Sequence, residues 1–298
     1  MKVLLAVSGG IDSMYMAERA PELFPGASFA VAHCNFGLRA EESDGDEAFV
    51  RGWCSRKGMP IFVKHFDTSS FASEGGLSIE MAARELRYAW FGELCSSEGF
   101  DCVAIAHNAD DNVETFFLNL LRGTGTRGLR GMGDRDFIVR PLLGISRAEI
   151  REWMDSRKLP WREDSTNSST AYKRNRLRAE VIPVLKEMNP SLQESLRRTM
   201  DHIAQVDDIA EDYFLSVKDS VCSGGIVSLR ALLGLKHPRY VLFRLVEPAA
   251  LTETALNNLW DNISSGRQIG GRVFVGKRGE VRGLPKWKLS ITIPDKNN

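Results

Sequence analysis

Net charge is missing from this chain: Lys plus Arg and Asp plus Glu both number 39, so bulk charge names no partner. Cysteine is scarce. The five present are Cys34, Cys54, Cys95, Cys102 and Cys222; their number is odd, none stands in a Cys-x-x-Cys pair, and most lie in apolar runs. That excludes a disulfide framework and predicts buried free thiols in a reducing cytoplasm. No apolar run approaches the length that crosses a bilayer, and the N-terminus lacks the charged-then-apolar pattern of a signal segment. The expectation is a cytoplasmic chain with no membrane partner. Internal repeats and low-complexity tracts are absent as well. What remains, in 298 residues that are 43% hydrophobic and 26% charged, is an ordinary soluble composition with room for one large domain or two ordinary ones.

Charge is uneven along the chain. Residues 41–114 hold 15 acids and 6 bases, residues 122–178 hold 14 bases and 7 acids, and residues 266–288 hold 7 bases and 1 acid. An acidic first half followed by two basic zones suits a small-molecule site with a polyanion docked beside it, although solvated helix faces would produce either zone alone.

The most informative stretch is residues 3–13. Val3-Leu4-Leu5-Ala6-Val7 reads as a strand buried on both faces. It stops at Ser8-Gly9-Gly10, and Ile11, Asp12 and Ser13 open a helix capped by Asp12 or Ser13. Two glycines let backbone approach a phosphate with no Cβ in the way, and the free N–H groups of a helix start attract an anion. Ser8 and Ser13 add hydroxyls. Asp12 would repel phosphates unless a cation stood between, so Mg²⁺ on Asp12 is expected. A bare Gly-Gly pair would read as a tight turn that binds nothing. The full string favours phosphate, and it is neither a Walker loop nor a dinucleotide fingerprint.

Further strands are expected at residues 29–34, 61–63, 103–106 and 137–140, alternating with helices. That alternation predicts an α/β fold with a doubly wound five-stranded parallel sheet in the order 3-2-1-4-5. Ligands of such sheets sit outside the carboxyl ends of the strands. Asn35 and Arg39 follow the second strand, which places them beside the phosphate loop. Arg84 and Arg87 share one face of a helix over residues 78–96; they can reach one target together or form surface salt bridges with Glu80, Glu85 or Glu93. After the fourth strand, Asp110 is expected to cap a helix running to Arg122, with Asp111 and Glu114 on one face. Such close carboxylates call for a cation between them, Mg²⁺ or a substrate ammonium; plain helix-dipole acids explain Glu114 less well. His107 reads as a hydrogen-bonding loop residue, since no second His stands at metal-ligand spacing.

Five glycines between residues 123 and 133 are interleaved with Arg122, Arg127 and Arg130. They imply a mobile or tightly wound loop suited to phosphate or nucleic acid. Ser146 and Glu149 form a capping box. Residues 161–167 read as an extended polar loop. Tyr172, Lys173, Arg174, Arg176 and Arg178 form a basic cluster that can grip an RNA backbone. The expected organisation is a catalytic domain over residues 1–188, a helical connector over 189–219, and a small mixed α/β domain over 220–298. In that last domain strands are expected near residues 272–275 and 288–291, and its bases could face RNA or plain solvent.

The phosphate loop resembles that of the ATP pyrophosphatase, or PP-loop, superfamily. Together with Asn35-Phe36-Gly37-Leu38-Arg39, Ala83-Arg84-Glu85-Leu86-Arg87-Tyr88, Asp110-Asp111-Asn112-Val113-Glu114-Thr115, Arg122-Gly123-Thr124-Gly125 and Arg174-Asn175-Arg176-Leu177-Arg178, it makes residues 1–190 resemble the tRNA(Ile)-lysidine synthase family. The chain departs from that family at Phe36 and Asn108, where His is common, and at Asn112, where Gln is common. Its end at Asn298 is expected to mark a short form or a piece of a longer protein. The resemblance implies an adenine nucleotide alpha hydrolase-like fold with ATP and Mg²⁺ at Ser8, Gly9, Gly10, Ile11, Asp12 and Ser13. It implies adenylation of the wobble cytidine of tRNA(Ile) with a CAU anticodon, and displacement of AMP by free L-lysine. Asp12, Arg84, Arg87, Asp111 and Glu114 would carry the chemistry. Asn35, Arg39, Arg122, Arg127, Arg130, Lys173, Arg174, Arg176 and Arg178 would hold substrate or tRNA. A homodimer stays open. The competing readings are a tRNA thiolase of the same superfamily, set back by the lack of paired cysteines, and a non-catalytic ATP-binding module, set back by Asp111 and Glu114.

Overall fold

A computed structural model describes residues 1–38, 41–163, 173–267 and 269–293. Its contacts divide into two compact units, Met1–Ala204 and Gln205–Asn298. The first unit is built on β1 (Lys2–Ala6), whose Val3, Leu4 and Leu5 are wholly buried. It pairs in parallel with β2 (Ser28–Asn35) on one side and β4 (Cys102–Ile105) on the other. β3 (Ile61–His65) and β5 (Ile138–Val139) complete the sheet in the order β3-β2-β1-β4-β5, as expected from the sequence.

Alternation along β1 sorts the core into two layers. Val3 and Leu5 face α1 (Ile11–Leu23), α2 (Glu41–Lys57) and α7 (Arg147–Ser156), meeting Met14, Trp53 and Ile150. Leu4 faces α4 (Ile79–Glu98), meeting Trp90, Phe91 and Leu94. Tyr15 and Trp153 lock α1 to α7 edge-to-face at 5.0 Å. Helices therefore cover both faces, which leaves the strand tips as the open side.

The structure corrects one local expectation, adds a helix and decides between two alternatives. Asn108, not Asp110, caps α5 (Ala109–Arg122): its side chain accepts the Asp111 N–H while the Asp111 carboxylate accepts the Asn108 N–H. Asn serves as well as Asp in that place, and Asp110 is freed to accept the Arg147 N–H at 2.9 Å. A helix absent from the sequence reading, α3 (Thr68–Gly75), starts on Asp67 and closes on Gly76 at φ 60. The glycine-rich segment is wound rather than loose. It forms α6 (Thr126–Leu129), Asn119 donates to the Gly128 carbonyl at 2.8 Å, and Asn112 accepts the Met132 N–H at 2.7 Å.

Beyond residue 172 come α8 (Lys173–Arg176), a π-helical turn over Leu177–Val181, and α9 (Ile182–Met188). Pro183 has no N–H for the carbonyl four residues back, and the wider turn absorbs that break. The unit boundary falls inside α10 (Leu192–Val221), within the segment read as a connector. No helix among the described residues is long and apolar enough to cross a membrane.

The second unit holds β6 (Cys222–Ser223), β7 (Ile226–Ser228), β8 (Val273–Val275), β9 (Glu280–Leu284) and β10 (Lys288–Thr292). They form an antiparallel sheet in the order β6-β7-β10-β9-β8. The sheet packs on α11 (Leu229–Leu233), α12 (Pro238–Val246) and α13 (Glu253–Ser264) through Leu229, Leu242, Leu259 and Ile263. Only two of these strands were legible beforehand. β6 and β7 are very short, and β9 carries Arg282 and Gly283; a Cβ at Gly283 would drive into the Ile269 carbonyl.

Candidate active site

At the tip of β1 the chain turns through Ser8 and Gly9. Gly9 has φ 95, a backbone that side chains rarely adopt. Val50, Phe49 and Arg162 pack beside it at ordinary contact distance, and the Arg162 N–H donates to the Gly9 carbonyl at 2.9 Å. Ser13 is the tie of the loop. Its Oγ accepts the N–H groups of Ser8 and Gly9 at 3.2 Å each and donates to the Gly10 carbonyl at 2.8 Å. Among the described residues no side chain caps α1, so its first turn keeps the N–H groups and dipole that suit an anion.

Beside the loop lies a cavity of about 270 Å³ at the tips of β1, β2 and β4. Ala32, Phe91, Ile105 and Ala106 give it an apolar wall, and Asp12, Ser13, Arg87 and His107 give it polar groups. Phe36 also lines it. Its ring stacks on Phe66 with centroids 5.4 Å apart and carries the Arg87 guanidinium at 5.2 Å. Arg84, exposed, lies over Tyr88 at 4.7 Å. Glu93, one salt-bridge partner considered for these arginines, pairs instead with Lys64 at 2.9 Å.

Asp12 joins the starts of three helices. Its Oδ1 accepts from Asn108 Nδ2 at 3.0 Å, at the start of α5, and its Oδ2 from Arg147 at 3.1 Å, at the start of α7. Asp110 binds the Arg147 N–H and Lys186 Nζ. These partners hold its carboxyl below the usual carboxylate value although burial alone would raise it. Arg147 and Asn108 were not assigned roles from the sequence; the capping box at Ser146, opening a helix just beyond a strand tip, was the available signal for Arg147. Each Asp12 oxygen keeps a lone pair beyond these bonds. A single carboxylate beside a phosphate loop fits Mg²⁺, which takes one or two carboxylates and completes its octahedron with water and phosphate oxygens.

Glu114 is 1% exposed. Arg178 grips it with two bonds, Nε to Oε1 at 2.6 Å and Nη2 to Oε2 at 3.0 Å, and stands 3.6 Å from Asp111. Arg174 approaches Glu114 at 3.5 Å and donates to Thr115 Oγ1 at 3.4 Å. Burial pushes the Glu114 carboxyl up and the Arg178 fork pulls it back; a bidentate pair this short is an ionised one. Two bases of the cluster read as an RNA grip therefore turn inward to the acids. Arg176 instead pairs with Glu180 on the surface at 2.7 Å. Asn35 is buried, donating to Asp44 and Glu47 at 3.1 Å each, so it braces α2 rather than facing the cavity. Arg122, Arg127 and Arg130 are exposed at the end of α5 and around α6. Arg39, Tyr172, residues 164–167 and the Lys173 side chain lie outside the described residues.

The cysteines are poor nucleophiles. Burial pushes Cys34 up to about 12 and Cys54 up to about 11, and raises Cys95, Cys102 and Cys222.

Residues 1–185 match the PP-loop domain family. The chain is 42% identical to the tRNA(Ile)-lysidine synthase of Parabacteroides distasonis over 87% of its own length and 59% of that protein's. It is 44% identical to that of Porphyromonas gingivalis, covering 83% and 54%, and 37% identical to that of Bacteroides thetaiotaomicron, covering 94% and 65%. It thus spans less than two thirds of these curated relatives. Among solved structures it resembles the U34-tRNA thiolase NcsA of Methanococcus maripaludis, with a TM-score of 0.57 at 20% identity over 69% of this chain and 73% of that one. That likeness is one of fold.

Proposed function

Because this chain belongs to the PP-loop domain family, we propose that it activates a nucleobase with ATP and makes lysidine, the product for which its curated relatives are named. Lysine is joined to C2 of the wobble cytidine of tRNA(Ile) with a CAU anticodon. The observation that carries this reading is the Ser13-tied loop opening on a cavity with one apolar wall, in a chain 42% identical to a tRNA(Ile)-lysidine synthase over most of its length.

The outer phosphates rest on the first turn of α1. Arg87, which lines the cavity, offsets the charge that develops as the α–β bond breaks, with Arg84, over Tyr88 on the same helix, as a further candidate. Asp12 would hold Mg²⁺, which supplies further charge neutralisation to the phosphates. The cytidine O2 attacks the α-phosphorus and pyrophosphate leaves. The ε-amine of lysine, having lost a proton, attacks C2; AMP leaves with O2, and the amine's second proton passes to solvent.

Glu114 is committed to Arg178, which makes Asp111, beside it and partly open, the carboxylate with a face for the incoming ammonium. Arg178 in turn offsets the repulsion between buried Glu114 and half-buried Asp111. The exposed Arg122, Arg127 and Arg130 would dock the tRNA backbone, with Arg39 and Lys173 as further candidates. Cytoplasm is the compartment where tRNA, free lysine and reduced thiols coincide.

The test is incubation with ATP, lysine and tRNA, omitting each in turn. Turnover to AMP and pyrophosphate is expected only when all three are present; ATP and tRNA without lysine should release pyrophosphate only up to the amount of tRNA, and no AMP. Asp12→Ala should abolish AMP formation while tRNA is still retained on a filter; loss of retention alone would remove Asp12 from this role. Sulfur incorporation into tRNA would instead favour the thiolase reading.

A further inference from the structure

His107 stands just beyond β4 and lines the cavity that Asp12 and Ser13 also line. Its Nδ1 meets Arg140 Nε at 3.2 Å. A guanidinium has no acceptor and keeps its protons wherever the protein is folded, so Arg140 donates and Nδ1 accepts. A neutral ring with a bare Nδ1 carries its one proton on Nε2. Among the described residues that second nitrogen has no partner. Arg140 is itself fixed: its backbone N–H is bound by Asp134 at 2.8 Å and its Nη1 by the Gly133 carbonyl.

Protonation of the ring is opposed from every side. Burial acts first. The guanidiniums of Arg140, of Arg174 on α8, and of Arg84 and Arg87 on α4 then add like charge, and His107 is pushed down to about 3. Asp12, the carboxylate sharing the cavity, is already engaged by Asn108 and Arg147. A proton that stays on Nε2 can only be donated, which excludes His107 as a general base for the attacking amine. Four surrounding guanidiniums favour a charged acceptor over a hydroxyl.

We propose that His107 is a fixed hydrogen-bond donor of the nucleotide cavity, directing its Nε2–H to a phosphoryl oxygen, with Arg140 as the positioning residue that sets its tautomer. This rests on the nucleotide site proposed above.

The test uses the full chain labelled with ¹⁵N-histidine, the His107 signals being assigned with His107→Gln. From about pH 6 to about pH 8, a range that brackets an ordinary imidazole, Nδ1 is expected to stay bare and Nε2 protonated. Saturating AMP should shift the Nε2–H signal and adenosine should not. Arg140→Met should let the Nδ1–H form appear. In steady state, His107→Gln keeps an amide donor and should hold kcat/KM for ATP within about threefold. His107→Leu should lose roughly tenfold or more, with KM for tRNA unchanged. A protonated Nδ1, a titration within that range, an Nε2–H unmoved by bound AMP, or equal damage from Gln and Leu would each overturn the proposal. The tautomer and AMP readings need neither tRNA nor lysine, so they stand apart from failure to form lysidine; AMP that does not bind at all would overturn both.

Discussion

Arg178 holds Glu114 by both carboxylate oxygens, at 2.6 and 3.0 Å, across 64 residues of chain. The pair ties the turn after α8 to α5 and decides what the neighbouring Asp111 is free to do. Removing one partner of a buried pair costs far more than the pair contributes, because the charge left behind has no solvent. Arg178→Met should destabilise the first unit by about 3 kcal/mol in urea unfolding at neutral pH, and Arg178→Met with Glu114→Leu should recover much of that. A single variant as stable as the parent would mean the pair is not formed.

Ser13→Ala tests the loop. It removes the acceptor for the Ser8 and Gly9 N–H groups and the donor to Gly10. ATP affinity, read by calorimetry, should fall roughly tenfold, with tRNA retention on a filter unchanged. Equal ATP binding would mean that the loop keeps its shape without the tie.

Asp110 gives a pH-dependent prediction. Its folded carboxyl lies below the ordinary value, so its contribution is present above about pH 4 and lost as the pH falls through the folded value. Asp110→Asn should therefore cost about 1 kcal/mol at neutral pH, and the difference from the parent should shrink on acidification. A difference that grew with acid would reverse the assignment.

Gly131→Ala probes the wound segment. Gly131 has φ 77, and a Cβ would come within 2.5 Å of Met200 Sδ and 2.8 Å of Asn112 Oδ1. A loss of about 2 kcal/mol is expected in thermal or urea unfolding; an unchanged midpoint would mean the segment is loose.

These residues also mark what could be read in advance. The strand order was legible because strands covered on both faces become unbroken apolar runs, and β1 is one. The strand–glycine–helix turn at Ser8–Ser13 was legible because its signal lies within six residues. The partners of Asp12 were not: Asn108 is 96 residues away and Arg147 is 135, and the one local hint, the capping box at Ser146, marks a helix start but not its partner. The basic cluster was read as outward-facing because spacing tells which residues share a face, not whether a buried carboxylate waits beneath. Phe36, Asn108 and Asn112, where the chain departs from the resemblance, each have a place: one lines the cavity, one caps α5, one pins Met132. Part of the second sheet escaped: β6 and β7, of two and three residues, are too short to carry a period, and β9 is interrupted by Arg282 and Gly283.

The claim beneath all of this is that ATP is split between its α and β phosphates to activate a base. The most direct measurement follows α-labelled ATP with the full chain, the tRNA and lysine. Labelled AMP should form in step with tRNA that has gained one lysine, and only when all three are present. Labelled ADP, or AMP made without tRNA, would contradict it.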